Sequence, residues 1–434
     1  MKAFYMTFGC KVNQYETDNI RELMETCGYE TTKMINDADI AIVNTCTVTS
    51  SADSKCRQFI RKIAKENPSC IICAAGCMTQ VLNDIGILPE CAVIVGSRNK
   101  TMLPYYIKKY MTEGERVFQT SDNESRAIEP MSSSGSSSKT RAYIKIQDGC
   151  EMFCTYCAIP YARGKLSSKP IADIRREASV LIETGHKELI LTGINLCCYG
   201  RDFKDGTRLV DAIETVCLLD GDFRVRLSSV EPELISDEDI SRMAALNKLC
   251  PHFHLSLQSG CDKTLKAMKR HYYTPMYSSL VERLRNSFKD CAITTDIMVG
   301  FPDESEQDHM ESMDFAKMIA FADGHIFPYS RRKGTAADKM QGQIDNKTKH
   351  KRALQMAEVI TESRKAFLSK MVGKTVRVLF EKESSPKYHQ GYSDNYTLVR
   401  IKRISPETTL RRKMLYVNIT AFDENCCYGE LAQK

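Results

Sequence analysis

The sequence predicts a multidomain α/β protein in three parts: an N-terminal domain built on an open parallel α/β sheet, a central partial TIM-type (β/α)6 barrel, and a small all-β barrel at the C-terminus. Three observations carry this expectation. Short apolar runs alternate with helical patterns over most of the chain, as in parallel sheets covered by helices. One low-complexity stretch, "MSSSGSSSKT" (131–140), interrupts them. From residue 371 onward the pattern turns β-rich, alternating and basic. A Gly/Ser-rich segment cannot bury apolar surface and behaves as a flexible linker. The expected domains therefore run 1–125, 141–370 and 371–434, with 126–140 as the linker.

In the N-terminal part, "KAFYMTFG", "ADIAIVNT", "CIICAAG" and "CAVIVGS" read as strands. "ETDNIRELMETCG" reads as a helix ending on Gly28, and "SADSKCRQFIRKIAKENP" as a helix with a Ser cap and a Pro stop. After the linker come six strands: "AYIKIQD", "ELILTGI", "RVRLSSV", "HFHLSLQS", "AITTDIMVG" and "HIFPYS". Helical segments separate them; in "PIADIRREASVLIETG", Ile171, Ile174, Ala178, Leu181 and Ile182 share one face. Six β/α units are too few for a closed eight-stranded barrel, so the barrel should be open, with its working face at the carboxyl ends of the strands. A polar helix over 346–372 leads to "KTVRVLFE", "YHQGYSDNYTLVRI" and "KMLYVNITAFDE". Residues 371–434 hold eleven Lys/Arg against seven Asp/Glu, which suits a small nucleic-acid-binding barrel.

The 434 residues are 42% hydrophobic and 27% charged, as in ordinary globular proteins. No apolar run approaches the roughly 20 residues of a membrane span. The opening "MKAFYMTFGCKVNQ" lacks a long apolar signal segment. The expectation is a cytoplasmic protein with no membrane partner. In a reducing compartment the 19 cysteines are not a disulfide framework but buried apolar residues, metal ligands or reactive thiols. The net charge of +6 is compatible with a polyanionic partner.

"GCEMFCTYCAIPYARG" (149–164) holds Cys150, Cys154 and Cys157 on the loop after the first barrel strand. Zinc sites usually come as paired knuckles or Cys/His sets, and no matching pair lies nearby. Three thiolates on a 4Fe-4S cube bind three irons and leave the fourth open for a ligand. This arrangement on a partial barrel resembles the radical S-adenosylmethionine superfamily. The resemblance implies that S-adenosylmethionine chelates the open iron and is cleaved to a 5′-deoxyadenosyl radical. Candidate cofactor contacts are Tyr156 within the motif, Gly193 in "LTGIN", Ser228, Ser229 and Glu231 in "SSVEPE", Gln258 and Ser259 in "HLSLQSG", and Arg331 or Arg332 in "YSRRKGT".

Before the linker, Cys10, Cys46 and Cys77 each follow a predicted strand. Ligands of open α/β sheets bind beyond the carboxyl ends of the strands. The residues alone leave two readings: three converging thiols or three separately buried ones, with Cys73 complicating the count. "FGCKVNQYET", "VNTCTVTSSADSKCRQFIRK" and "AAGCMTQ" resemble the three signature segments of the methylthiotransferase family. "TRAYIKIQDGCEMFCTYCAIPYARGKLSSKP", "HLSLQSGCDKTLKAMKRHYYT", "TTDIMVGFPDESEQD" and "FPYSRRKGTAA" continue the resemblance in order, and the C-terminal segment resembles that family's TRAM domain.

The resemblance implies a second 4Fe-4S cluster on Cys10, Cys46 and Cys77, whose open iron holds the sulfur to be inserted. It implies two S-adenosylmethionines, one methylating that sulfur and one supplying the radical. "FGCKVNQYET" and "DGCEMFCTYCAIPYARGK" look like the branch that modifies threonylcarbamoyladenosine 37 in the tRNA anticodon loop. The alternatives are the isopentenyladenosine branch, the branch that modifies an aspartate of a ribosomal protein, and a non-enzymatic iron–sulfur RNA-binding protein. A flavodoxin- or ferredoxin-like electron donor and a sulfur donor are implied partners. Arg377, Lys382, Arg400, Lys402 and Arg403 are expected phosphate contacts, with Tyr388, Tyr392 and Tyr396 to stack on bases. Departures from the family pattern are Cys197 and Cys198 after "LTGIN", Asp303 in "GFPDES", and the pair Cys426 and Cys427; these extra thiols are expected to be structural.

Overall fold

A computed structural model describes every residue except 83, 84, 122, 123, 136–138, 383, 384, 404, 406, 433 and 434. The N-terminal unit comprises β1 (Lys2–Thr7), α1 (Lys11–Thr26), β2 (Glu30–Thr32), β3 (Ile40–Thr45), α2 (Ser50–Glu66), β4 (Ile71–Gly76), α3 (Cys77–Gln80), β5 (Val93–Val95), α4 (Leu103–Glu113) and β6 (Val117–Gln119). Its parallel sheet has the order β2-β1-β3-β4-β5-β6. The strands are apolar on both faces because helices cover both, and β3 is buried along its whole length. The chain order reverses between β1 and β3, which is where open α/β sheets form their crevice.

The central unit opens with β7 (Arg141–Lys145), β8 (Gln147–Asp148), α5 (Ile159–Arg163), β9 (Ser167–Ser168) and α6 (Ile171–Glu183). It continues through β10 (Glu188–Thr192), α7 (Leu209–Cys217), β11 (Arg224–Leu227), β12 (Ser229–Val230), α8 (Asp237–Ala244), β13 (His252–Leu255), α9 (Asp262–Ala267), α10 (Thr274–Ser287), β14 (Ala292–Val299), α11 (Glu306–Ile319) and β15 (Asp323–Pro328). All six predicted barrel strands form, and all their pairings are parallel. Ser228 breaks the third strand into β11 and β12, so hydrogen bonding divides the curved sheet into β11-β10-β7 and β12-β13-β14-β15. Among the described residues no pairing joins β15 back to β7, so the barrel is open. The N-terminal unit touches both edges of the opening. Helix α1 packs on β7, and Ser50 at the start of α2 hydrogen-bonds the Ser330 hydroxyl just beyond β15.

Helix α12 (Asn346–Ser369) leads to a closed barrel of β16 (Thr375–Phe380), β17 (Tyr388–Ser393), β18 (Leu398–Lys402), β19 (Met414–Phe422) and β20 (Cys427–Leu431), in the order β16-β17-β18-β20-β19. The fold thus combines parallel α/β sheets with a small closed β-barrel. Among the described residues no helix is long and apolar enough to cross a membrane.

Three local expectations change. Helix α1 begins at Lys11, five residues before the predicted start, with Cys10 as its N-cap. The predicted boundary missed it because "KVNQY" carries polar residues that are buried by tertiary contacts, not by helical amphipathicity. Helix α2 is capped by the Thr49 hydroxyl, which accepts from Ala52 N, and not by a serine. The described part of the linker is pinned: Met131 O accepts from Tyr15 Oη at 2.7 Å and Lys169 Nζ at 2.8 Å, and Ser133 N donates to Glu177 at 2.8 Å. Residues 136–138 of that linker lie outside the described residues.

One buried carboxylate ties the foot of the open barrel to the closed one. Glu188 in β10 meets Arg141, Arg224 and Arg226 at 3.3, 2.6 and 3.0 Å. Arg224 also pairs with Asp394 in the β17–β18 turn at 2.8 Å and donates to Tyr392 O. The three guanidiniums hold the Glu188 carboxyl well below the usual range against the opposing effect of burial. Glu188→Gln leaves these arginines undercompensated. It is expected to destabilise the protein by about 3 kcal/mol and to make the C-terminal unit more susceptible to limited proteolysis. An unchanged urea midpoint would contradict this.

Candidate functional site

The N-terminal cysteines sit at the carboxyl ends of three adjacent strands: Cys10 after β1, Cys46 after β3 and Cys77 after β4. Gly9 makes the approach possible. Its φ is +101°, and a Cβ there would lie 2.8 Å from both Cβ and Sγ of Cys46. Asn13 fixes the same corner, its amide donating to Phe8 O at 2.8 Å and Thr45 O at 3.0 Å. Thr79 and Gln80 brace the Cys77 turn: Thr79 Oγ1 donates to Gly76 O and Val95 O, and Gln80 Oε1 accepts from Ser97 N. Cys46 and Cys77 are buried and Cys10 is exposed. Burial, with Cys77 and Cys10 nearby, pushes the Cys46 thiol up to about 12. The convergent reading is therefore the one the fold supports. Cys73 is fully buried in the apolar layer with Ala3, Ile20 and Ile42, so it leaves the count. Cys56, which the sequence did not single out, lies behind Cys46 and donates weakly to its carbonyl.

The second set occupies a loop closed at its base by the antiparallel β8–β9 pair. Phe153 adopts a left-handed φ of +48° between Cys150 and Cys154. Thr155 anchors the loop through Met268 O, Ala267 O and Ala337 N. Burial pushes Cys150 up to about 11 and Cys157 up to about 12. Arg270 donates from Nη1 to Cys154 Sγ at 3.3 Å and pairs through Nη2 with Glu231. Tyr156 packs beside Met298, Phe301 and Tyr329.

Buried oxygens near this loop test whether a polar cofactor fits. Ser228 Oγ, Gln258 Oε1 and Tyr329 Oη are buried without a hydrogen-bond partner among the described residues. Each follows a strand of the open barrel, after β11, β13 and β15. Native proteins leave few such atoms unsatisfied. Gln258 is also held at φ +62° by its backbone bonds to Asp296 O and Met298 N, a strain typical of functional sites. The donors and thiols fit a cluster with a polar ligand on its open side.

Four of the expected contacts are met by protein groups. Gly193 makes room for Gln147, whose Oε1 would lie 2.8 Å from an added Cβ and accepts from Asn195 N; the close approach is to protein, not to a ligand. Arg331 is largely exposed and bonded to Asp338, because its side chain turns along its own loop. Arg332 instead crosses to the N-terminal unit and binds Thr47 Oγ1 at 2.5 Å and Asp53 at 2.8 Å, next to Cys46. Glu231 lies near Cys150, but Arg270 holds its carboxylate, and Cys197 Sγ accepts from its backbone N–H at 3.2 Å.

One side chain ties the helix after Cys157 to the N-terminal set. Helix α5, directly after Cys157, carries Arg163, whose Nε donates to Cys77 Sγ at 3.0 Å. Its other nitrogens reach Glu16 at 2.5 Å, Asn13 at 2.5 Å and Asp148 at 3.3 Å. Lys100 and Lys145 complete the lattice on Glu16 at 2.5 and 2.9 Å. Arg163 stands in "PYARG", but no spacing rule in the sequence connects it to a cysteine 86 positions earlier.

The expected RNA contacts divide. Tyr392 and Tyr396 stack on each other at 4.7 Å, with Arg141 over one ring and Arg226 over the other. They line a cavity of about 520 Å3 between the foot of the open barrel and the C-terminal unit. Arg377 faces Asp394 in the same junction. These three are docking residues, because arginines projecting from β7 and β11 recruit the aromatic and acidic groups of "GYSDNY". Lys382 and Lys402 are exposed, Arg400 and Arg403 half-buried. Tyr388 pairs with Tyr428 at 5.7 Å. Cys198 is buried near Cys150, and Cys426 and Cys427 are fully buried in the C-terminal unit.

Comparison with known proteins decides the family. Residues 144–316 match the Radical SAM superfamily, and residues 2–96 match the uncharacterized protein family UPF0004. The threonylcarbamoyladenosine tRNA methylthiotransferase MtaB of Bacillus subtilis (strain 168) is 35% identical over 92% of this chain and 90% of its own length. The chain belongs to the radical S-adenosylmethionine tRNA methylthiotransferases. This family of transferases includes two further relatives. MtaB of Thermotoga maritima is 34% identical over 90% of this chain and 89% of its own. The tRNA-2-methylthio-N(6)-dimethylallyladenosine synthase of Clostridium tetani is 33% identical over 88% and 85%. The radical S-adenosylmethionine methyltransferase TsrM from Kitasatospora setae shares the fold at a TM-score of 0.59 and 14% identity, covering 77% of this chain and 76% of that one. Membership implies S-adenosylmethionine and a 4Fe-4S cluster as cofactors of this methylthiotransferase.

Ligation requires thiolates, so thiols held protonated by burial must release protons as iron binds. Loading of the apo-protein with iron and sulfide is expected to rise between about pH 7 and pH 9. At neutral pH, alkylation of exposed Cys10 is expected to outpace that of Cys46 at least about tenfold. Equal rates, read by peptide mass spectrometry, would contradict the burial argument.

Proposed function

We propose that this chain adds a methylthio group to C2 of N6-threonylcarbamoyladenosine at position 37 of tRNA. In this reading Cys150, Cys154 and Cys157 hold one 4Fe-4S cluster, Cys10, Cys46 and Cys77 hold a second, and two S-adenosylmethionines are consumed. The observation that supports it is the placing of Cys10, Cys46 and Cys77 at three adjacent strand ends, with Arg163 of the helix after Cys157 reaching Cys77. When bound and reduced, the first cluster would supply the electron that cleaves S-adenosylmethionine and so generates a radical able to take hydrogen from an unactivated carbon.

The chain's own residues serve that chemistry by position. Arg270 orients the Cys154 sulfur and keeps Glu231 in place. Ser228, Gln258 and Tyr329 would offer oxygens to a polar ligand, and Tyr156 packs on the apolar cluster that includes Tyr329. The apolar floor of Met298 and Phe301 excludes water, which strengthens every polar contact in the pocket. Arg332 links the barrel edge to Thr47 and to Asp53 at the start of α2, which fixes the segment after Cys46 against the barrel.

The domains are proposed as 1–125 for the second cluster, 126–140 as connector, 141–370 for radical generation and 371–434 as a TRAM-type RNA-binding barrel. Lys382, Arg400, Lys402 and Arg403 are the phosphate contacts in this reading, with Tyr388 and Tyr428 beside them. A cytoplasmic location, a flavodoxin- or ferredoxin-like electron donor and a separate sulfur donor complete it. The threonylcarbamoyl substrate is favoured by the start "FGCKVNQYET" and by the name of the Bacillus subtilis relative.

Mass spectrometry of tRNA nucleosides from cells with and without the gene tests the substrate. The expected result is loss of 2-methylthio-N6-threonylcarbamoyladenosine and accumulation of its unthiolated form. Loss of the dimethylallyl counterpart would move the substrate, and no change in either would overturn the tRNA reading. With purified protein, Cys154→Ala is expected to abolish 5′-deoxyadenosine formation. Cys46→Ala is expected to keep deoxyadenosine formation while methylthiolated product falls below detection. Product from the Cys46→Ala enzyme would remove the second cluster from the proposal.

A further inference from the structure

Arg163 is a fully buried charged side chain that follows one cysteine set in the chain and bonds a cysteine of the other, and nothing in the reaction as described requires it. We propose that Arg163 is a positioning residue that tunes the cluster on Cys10, Cys46 and Cys77 and locks it to the radical-generating loop. This deepens the two-cluster reading and rests on it.

The geometry carries the argument. Arg163 is 1% exposed and ends α5, the first helix after Cys157. Its guanidinium points away from its own loop and into the N-terminal unit. The Nε–H is directed at Cys77 Sγ, at 3.0 Å, closer than the N–H contacts from Arg270 to Cys154 at 3.3 Å and from Ile159 to Cys157 at 3.4 Å. The two terminal nitrogens are clamped by Glu16, Asp148 and Asn13. Asn13 also ties the Cys10 turn to the end of β3 through Phe8 O and Thr45 O. A displacement of α5 is therefore transmitted to Cys77 directly and to the Cys10–Cys46 corner through Asn13.

The charged surroundings point the same way. Among the described residues, Lys100, Lys145 and Arg163 form ion pairs with Glu16 and Asp148, and Glu129 adds a third carboxylate that acts on both lysines. Within this lattice the Arg163 Nε–H is the group aimed at the Cys77 sulfur. A thiolate on iron is the acceptor that suits it. A hydrogen bond and a positive charge at a cluster sulfur stabilise the reduced state and raise the reduction potential. Arg270 does the equivalent at Cys154 from inside the barrel, so each set has its own guanidinium, but only that of Arg163 crosses between units.

The test is an EPR-monitored redox titration of the full-length, cluster-loaded protein. A background lacking Cys150, Cys154 and Cys157 (each →Ala) isolates the N-terminal signal. Arg163→Gln is expected to shift that cluster's midpoint potential downward and to change its g-values. Arg163→Lys, which keeps charge but lacks the fork, is expected to recover part of the shift. It also serves as the reporter if the Gln variant loses the cluster. In the background lacking Cys10, Cys46 and Cys77, Arg163→Gln is expected to leave the radical cluster's potential unmoved. In the otherwise unaltered enzyme, Arg163→Gln is expected to keep 5′-deoxyadenosine formation while methylthiolated product falls at least about tenfold. A wild-type triad-deleted protein that holds no iron overturns the two-cluster reading and this inference together. A present N-terminal cluster with unchanged potential and g-values in both variants overturns this inference alone.

Discussion

The buried Glu16 lattice is the constraint on which the rest depends. A carboxylate with no solvent exposure, on a helix of the N-terminal unit, is held by a lysine of its own unit, a lysine of the first barrel strand and the arginine after the cysteine loop. Taking these charges out of water costs several kcal/mol each, and the attraction between them offsets that only when every group is placed. Such a lattice is a poor source of stability and a strong source of register, since removing one member strands the others at about 3–5 kcal/mol. The interface between the two units is therefore specified by position and not by apolar area. It keeps the helix after Cys157 in one register with the strand end that carries Cys77.

The open barrel explains why the N-terminal unit belongs there. A closed eight-stranded barrel presents its site on one face only, with its interior filled by side chains. Six strands leave an edge at β7 and an edge at β15, each an unpaired row of backbone groups that must be covered. Helix α1 covers the first, and the start of α2 covers the second. Both helices begin just after a cysteine-bearing turn. Covering the gap and delivering Cys10 and Cys46 to its rim are thus the same structural act, and Arg163 reaching Cys77 completes it.

Much of this was legible in the sequence. The six barrel strands and the parallel N-terminal sheet follow from period and spacing, whereas the set Cys10, Cys46 and Cys77 came from the family resemblance, since the residues alone left separate burial open. Helix α1 was misjudged at its start because Asn13 is a buried polar residue, which reads as exposed until its partners are known. Gly193 and Glu231 lie at strand ends as expected, and the groups that meet them there, Gln147 and Arg270, are distant in sequence and so were not foreseen. Arg331 and Arg332 are adjacent, and only the loop's path decides which one crosses to the other unit. Polar residues without periodic signal were the part that local reasoning could not assign.

The C-terminal barrel shows the same limit from the other side. Tyrosines and arginines in a basic β-rich segment satisfy the compositional rule for nucleic-acid binding, yet Tyr392, Tyr396 and Arg377 are spent on docking. Stacked rings flanked by Arg141 and Arg226 are each worth about 0.5–2 kcal/mol as cation–π contacts, and the turn between them closes the Glu188 cluster through Asp394. A rigid dock has a functional consequence. With its turn fixed to the foot of the barrel, the C-terminal unit holds the strand carrying Arg400 and Lys402 at one orientation relative to the cysteine sets. An RNA bound there would meet the catalytic opening at a set distance, so reach and specificity would be fixed by the same arginines that hold the foot of the barrel together.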